Sequence, residues 1–340
     1  MTAPLVSVLM PVYNAADTLP ETLQSIRDQT FDSFEIIAVD DGSEDGSLGL
    51  LENWYLREAR LIISSQPHRG LIDTLNTGLS LCRGEYIARM DADDLMHPDR
   101  LKKQVALLSS RADVSVASCL VETIAEGSVG EGMRIYETWL NGLIHHQDIN
   151  REIFIESPIA HPSAMVRREE LLALAGYREC GWPEDYDLWL RYSAAGKRFE
   201  KVPEVLLYWR DHDQRATRTD SRYSVENFIK AKAHFLANGL LRDYEELIIW
   251  GAGQTGRRLS KHLIGSDRPP RVFIDINEDK IGSTLRGIPV SSPDTLADIW
   301  AGFRHPVLLV AVASRGARQL IRERLLSLDI MEGVDFFCVA

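Results

Sequence analysis

The chain is poor in several features that would classify it quickly. Only four cysteines occur in 340 residues, Cys82, Cys119, Cys180 and Cys338, with no CxxC spacing and no even framework. That excludes a disulfide scaffold or a thiolate zinc site as the organising feature and fits isolated buried thiols in a reducing compartment. Basic charge is not in excess: 38 Lys and Arg stand against 50 Asp and Glu, a net charge of -12. General nucleic-acid binding needs a basic surface to neutralise phosphates, so it is not expected. No apolar run reaches the ~18–20 residues of a bilayer-spanning helix. The opening MTAPLVSVLMPVYN lacks the basic start and long apolar core of a secretory signal. A cytoplasmic protein is expected, with peripheral contact at the inner face of a membrane left open. Internal repeats and low-complexity tracts are also missing.

What remains is ordinary globular material, 45% hydrophobic and 26% charged, enough for a sizeable core. The length favours two domains. LVSVLM (5–10) is a β-branched apolar run that stops at Pro11 and reads as a buried strand. A helix follows, with Asp17 or Thr18 as cap, Pro20 in the first turn and Leu19, Leu23 and Ile26 on one face. FEIIAVD (34–40), RLIIS (60–64) and GEYIARM (84–90) read as further strands, with GSLGLLENWYL and LIDTLNTGLSLC as helices between them. Apolar strands alternating with helices predict an α/β fold on a mainly parallel sheet covered on both faces. The pattern is less regular from 110 to 215. Beyond the Arg-rich RDHDQRATRTDSR, a helix is expected over roughly 223–238, and a new strand–helix unit starts at Glu246. The expected division is a first domain over 1–220, a helical linker over 221–244 and a smaller α/β domain over 245–340.

Ligands of parallel sheets sit at the carboxyl ends of the strands. The polar clusters fall there: PVYN after the first strand, DDGSEDGS after the second, DADD after the fourth. RMDADDLMHPDR (89–100) packs four aspartates into nine positions. Carboxylates this close repel one another unless a divalent cation neutralises them. Hard oxygen donors suit magnesium or manganese, which leave coordination positions for substrate phosphates. An EF-hand fails on spacing, because the sixth position from Asp91 is Met96 rather than Gly and the twelfth is Lys102 rather than Glu. Asp94 and Asp99 are expected only to cap the helix beginning near Pro98. Asp91 and Asp93 are the candidate site.

VSVLMPVYNAADTLPETLQSIRDQTFDSFEIIAVDDGSEDGS and GLIDTLNTGLSLCRGEYIARMDADD together resemble glycosyltransferase family 2, whose members have the GT-A fold. The similarity is nearly continuous over 5–110 and resumes at PEDYDLWLRY (183–192). It implies a metal-dependent, inverting transfer from a nucleotide-diphosphate sugar to a hydroxyl of a saccharide or lipid-linked acceptor, in surface polysaccharide or glycolipid biosynthesis. It further implies that Pro11 and Tyr13 pack on the nucleotide base and that Asp41 bonds the base edge. Asp91 then lies near the ribose and metal, Asp93 ligates the metal, and Asp185 is the catalytic base. A base is chemically required, because the acceptor hydroxyl must lose its proton as it attacks; the neighbouring Glu184 is the alternative. His161, in HPSAMVRR, either borders the acceptor site by the same resemblance or is a structural histidine. LLYWRDHDQRATR (206–218) looks like the family's loop that closes over the diphosphate, with Arg210, Arg215 and Arg218 toward phosphate and His212 as a third metal ligand. The plainer reading of that loop is a solvated charged segment.

LIIWGAGQTGRR places Gly251, Gly253 and Gly256 as GxGxxG between a strand and a helix, and RVFIDIN puts Asp275 where a ribose-binding acid would fall. This segment resembles the small Rossmann-like modules attached to sugar-modifying enzymes. NAD, another nucleotide, or no ligand at all are its three readings. The rival functions are an NAD-dependent oxidoreductase and a non-catalytic nucleotide-sugar-binding protein. The first leaves DADD and DDGS unexplained, the second leaves Asp185 unexplained, and a homo-oligomer is compatible with each.

Overall fold

A computed structural model describes residues 3–125 and 127–340. They form two compact units: Met1–Asn150, Pro158–Cys180 and Glu184–Thr219 make the first, and Arg151–Ser157, Gly181–Pro183 and Asp220–Ala340 the second.

The strands of the first unit are β1 (Val6–Val12), β2 (Phe34–Asp40), β3 (Leu61–Ser65), β4 (Tyr86–Arg89), β5 (Leu95–Met96), β6 (Val114–Ala125), β7 (Met165–Arg167) and β8 (Arg198–Asp211). Its helices are α1 (Leu19–Arg27), α2 (Ser47–Tyr55), α3 (Leu71–Leu81), α4 (Arg100–Ser110), α5 (Glu131–Gly142), α6 (His146–Glu152), α7 (Arg168–Ala173), α8 (Glu184–Ala194) and α9 (Ala216–Thr219). The sheet order is β3-β2-β1-β4-β7-β6-β8-β5. β1, β2, β3 and β4 run parallel, β7 is antiparallel to both neighbours, β6 and β8 are parallel, and β5 is antiparallel to β8. Every residue of β1 and β2 is buried, as expected of central strands covered by helices on both faces.

β1 continues through Pro11 to Val12 instead of stopping at the proline. The reason lies in the alternation of the ladder. Leu9 O accepts from Met90 on the β4 side and Val12 O accepts from Asp41 on the β2 side. Pro11 therefore turns its missing N–H toward β4, where pairing has already ended at Leu9↔Arg89. Thr18 occupies the N-cap of α1 but makes no cap bond; its hydroxyl donates to Ala15 O and Ala92 O.

The second unit holds β9 (Glu246–Trp250), β10 (Pro270–Ile274), β11 (Thr284–Leu285), β12 (Ile288–Ser291), β13 (Pro306–Val310) and β14 (Phe336–Cys338), with α10 (Val225–Asn238), α11 (Gln254–Gly265), α12 (Leu296–Gly302) and α13 (Ala317–Leu326). Its order is β11-β12-β10-β9-β13-β14, parallel except for the β11–β12 pair. The helix expected near 223–238 is α10, and it packs inside this unit rather than standing alone as a linker. Ile229, Ala233 and Leu236 share a core with Ile249, Phe273 and Leu309.

The GxGxxG turn joins β9 to α11. Gly251 has φ +115°, and a Cβ at Gly256 would lie 1.8 Å from Gly251 O. Two of the three glycines are thus required by backbone packing alone. Asp275, expected at a ribose, is engaged locally. Its Oδ2 accepts from Ala252 N–H (2.8 Å) and Lys280 Nζ (3.0 Å), and its Oδ1 accepts from Asn277 N–H (2.9 Å). NAD finds no support in this arrangement.

Gly256→Ala is expected to destabilise the second unit by roughly 1–3 kcal/mol or more, the range for overpacked sites. Thermal unfolding checks it; an unchanged midpoint would show that the turn has slack.

Candidate active site

The site grows from the end of β4. Asp91, Asp93 and Asp94 each offer an oxygen, and these oxygens lie within 4.8 Å of one another. Main-chain groups of the loop are fixed from below: Thr22 Oγ1 donates to Ala92 O (3.0 Å) and Asp94 O (2.8 Å), and Thr18 Oγ1 to Ala92 O (3.0 Å). The antiparallel β5–β8 pair, Leu95↔Tyr208 and Met96↔Leu207, then lays the end of β8 alongside the acids.

Asp94 corrects the sequence reading. It caps nothing: it is 1% exposed, and its Oδ1 accepts from Arg210 N–H (2.8 Å). Its Oδ2 is buried and meets no donor. Burial first, then the charges of Asp93 and Asp91, push its pKa well above the carboxylate range. Asp99 does sit at the N-cap position of α4, but its carboxylate accepts from Thr30 Oγ1 (2.7 Å) instead of capping.

His212 reaches the same group, with Nε2 2.7 Å from Asp93 Oδ2. Arg210 does not stand free for phosphate. Its Nε donates to Asp93 O (2.7 Å) and its Nη2 to Glu21 Oε2 (2.8 Å). Arg215 lies over the Trp209 ring at 4.2 Å and within 3.6 Å of Asp211. Arg218 pairs with Asp211 and Asp213. Arg215 and Arg218 are therefore matched by Asp211 and Asp213 of the same segment, closer to its plain reading, while Arg210 is held by Glu21 and the Asp93 carbonyl. Three carboxylates with a buried unpartnered oxygen fit a hard divalent ion such as magnesium or manganese.

At the end of β2, Asp41 is buried and heavily used. Gln66 Nε2 (2.8 Å) and Arg69 N–H (2.9 Å) donate to its Oδ1, Gly70 N–H (2.8 Å) donates to its Oδ2, and His68 Nδ1 lies 2.9 Å from Oδ2. Burial raises its pKa, but the bonds from Gln66, Arg69 and Gly70 together outweigh it and leave the carboxyl below its usual value. The acid expected at a base edge thus orders the 66–70 loop. Tyr13, 48% exposed, stacks on His68 at 4.2 Å and 25°. Pro11 is buried within β1. No sequence pattern singled out His68.

The candidate bases open α8. Glu184 is 1% exposed, whereas Asp185 is half-buried, its Oδ1 accepting from Tyr186 N–H (2.7 Å). Asp187 anchors the helix through Arg191 (2.7 Å) and Arg178 (3.1 Å). His161 sits beneath, with Nδ1 4.0 Å from Glu184 Oε1 and Nε2 3.1 Å from the Tyr177 hydroxyl. Burial, then the nearby Arg89 charge, hold its pKa well below the ordinary value, so its imidazole is neutral. Arg89, which the sequence reading passed over, donates from Nη2 to Asp91 Oδ1 (2.6 Å).

The family described as Glycosyl transferase family 2 matches residues 7–174. An uncharacterized glycosyltransferase of Haemophilus influenzae is 34% identical over 67% of this chain and 71% of its own. The amylovoran biosynthesis glycosyltransferase AmsE of Erwinia amylovora is 28% identical over 59% and 74%. The mannosyltransferase PcManGT of Pyrobaculum calidifontis, solved with GDP-Man and Mn2+, superposes with a TM-score of 0.52 at 21% identity, covering 78% of this chain and 70% of that one. No described helix is long and apolar enough to cross a membrane.

Replacing Asp94 with Asn removes a carboxyl whose ionised form burial and its acidic neighbours disfavour. The metal-free chain is expected to melt higher than wild type, and Mn2+ is expected to raise its midpoint far less, with at least tenfold weaker binding. A lower metal-free midpoint with full Mn2+ response would return Asp94 to a structural role.

Proposed function

The chain belongs to glycosyltransferase family 2, and we propose that it moves a sugar from a nucleoside-diphosphate sugar to a hydroxyl acceptor, with a divalent ion held at Asp91, Asp93 and Asp94. The observation that carries this reading is the acid cluster, three converging carboxylates of which Asp94 keeps a buried oxygen without a donor. When bound, the ion supplies Lewis-acid neutralisation of diphosphate charge. His212, hydrogen-bonded to Asp93, either orients that carboxylate or joins it as a ligand. The manganese and GDP-Man of PcManGT support the choice of ion and donor class.

Tyr13 offers an exposed ring backed by His68, a flat apolar face for a nucleotide base. Asp41 contributes by fixing the 66–70 loop beside it. Asp185 rather than Glu184 is the base, because it retains exposure at the start of α8 while Glu184 is sealed. Its carboxylate takes the acceptor's hydroxyl proton as that oxygen bonds to the anomeric carbon and the bond to the diphosphate oxygen breaks. One displacement inverts the anomeric centre. His161, neutral and bonded to Tyr177, holds the floor under α8 without exchanging a proton at neutral pH. The amylovoran relative supports a place in surface polysaccharide assembly, with a saccharide or lipid-linked acceptor.

Asp185→Asn is expected to lower transfer by about 10²–10⁴-fold, the usual contribution of a general base, while Mn2+-dependent nucleotide binding stays intact. Glu184→Gln serves as the companion variant in the same radiolabelled-donor assay. Unchanged turnover in Asp185→Asn would remove it as the base.

A further inference from the structure

Arg89 ends β4 and is 3% exposed. Its main chain is tied on both sides: the N–H donates to Ala164 O (2.9 Å) and the carbonyl accepts from the buried Arg100 guanidinium (2.9 Å). Tyr86 and Ala88 face the core that holds Leu23, Leu101 and Leu108. By the two-residue period of a strand, Ile87 and Arg89 face the opposite side of the sheet. There the guanidinium lies in the field of Asp91 first and then of Tyr177 and Glu184, the two acids belonging to the metal loop and to the start of α8.

The guanidinium is only partly used. Nη2 is committed to Asp91 at 2.6 Å, but Nε and Nη1 are buried and meet no acceptor. Buried donors are nearly always paired, and an exception calls for an explanation such as a bound group or a catalytic role. Arginine nitrogens only donate, so the missing partner is an oxygen acceptor. The surrounding groups narrow its identity. Asp91 belongs to the cluster that binds the diphosphate side of a donor, and α8 presents the group that takes the acceptor's proton. What lies between a leaving diphosphate and an attacking hydroxyl is the sugar being transferred.

We propose that Arg89 is a sugar-reading residue: its Nε and Nη1 donate to hydroxyl or substituent carbonyl oxygens of the transferred glycosyl group. This rests on the donor reading given above. Arg89 thereby performs two tasks with one planar group, orienting Asp91 through Nη2 and selecting the sugar through the remaining N–H groups. A lysine in its place keeps the charge but loses the fixed fork that allows both.

The test separates sugar recognition from the hold on Asp91. Wild type, Arg89→Met and Arg89→Lys are titrated calorimetrically with Mn2+ present. The ligands are UDP-N-acetylglucosamine, GDP-mannose and dTDP-glucose, each beside its bare nucleoside diphosphate. Thermal unfolding of each variant checks the fold, and Arg89→Lys carries the comparison should Arg89→Met fail to fold. For the pair that wild type binds, loss of the hold on Asp91 is expected to weaken the diphosphate somewhat, and nucleotide-sugar affinity is expected to fall at least tenfold further than diphosphate affinity. Equal losses for sugar nucleotide and diphosphate would overturn the inference, since Arg89 would then act only through Asp91. Unchanged affinity for both would overturn it too. A wild-type chain that binds diphosphates but gains nothing from the sugar defeats this inference and spares the donor reading. One that binds none of the six defeats both.

Discussion

Three carboxylates held together against their own repulsion are the constraint around which the first unit is arranged. Unit charges a few ångströms apart repel by only about 1 kcal/mol in water, but by several times that where solvent is partly excluded. Asp94 is buried beside Asp91 and Asp93, and that burial first, then the charges of its two neighbours, raise its pKa. A fold keeps such a group only when surrounding structure over-determines it.

That structure can be named. Thr18 and Thr22 of α1 grip the carbonyls of Ala92 and Asp94. The buried Arg100 grips the carbonyl of Arg89 at the end of β4. Arg210 bonds Asp93 through its side chain and Asp94 through its backbone, and His212 meets Asp93. The grips come from the start of α1, from α4 and from the end of β8, so no single helix or strand positions the acids. The cation left closest to them, Arg89, offsets one negative charge and still has donors to spare.

Much of this was visible in the sequence, and the reasons are physical. β1 and β2 stand out as mainly apolar runs because both faces of the sheet are covered there, while the edge strand β3 is only partly buried. Acids at successive strand ends are conspicuous because nothing in folding alone rewards gathering them. β6 and β8 were not visible. β8 carries Glu200, Lys201, Pro203 and Glu204 within the strand, and the buried Lys201 Nζ donates to Leu140 O. In sequence Asp94 reads as a cap of the helix near Pro98; only the β5–β8 pairing, which brings Arg210 N–H onto its Oδ1, reveals its burial. Arg210, read toward phosphate in sequence, braces Asp93 and Asp94 in the fold. Asp41 and Asp275 likewise turn out to organise loops, a use of carboxylates that sequence cannot separate from ligand binding. Arg89 gives no sequence signal at all, since its value lies in two nitrogens left unpaired by the fold.

The most direct measurement is anomalous diffraction from a crystal of the chain grown with Mn2+ and a nucleoside diphosphate. The account predicts a manganese peak in direct contact with carboxylate oxygens of the Asp91, Asp93 and Asp94 group, with the diphosphate on its open side. A peak elsewhere, or none beside these acids while the nucleotide is bound, would contradict it.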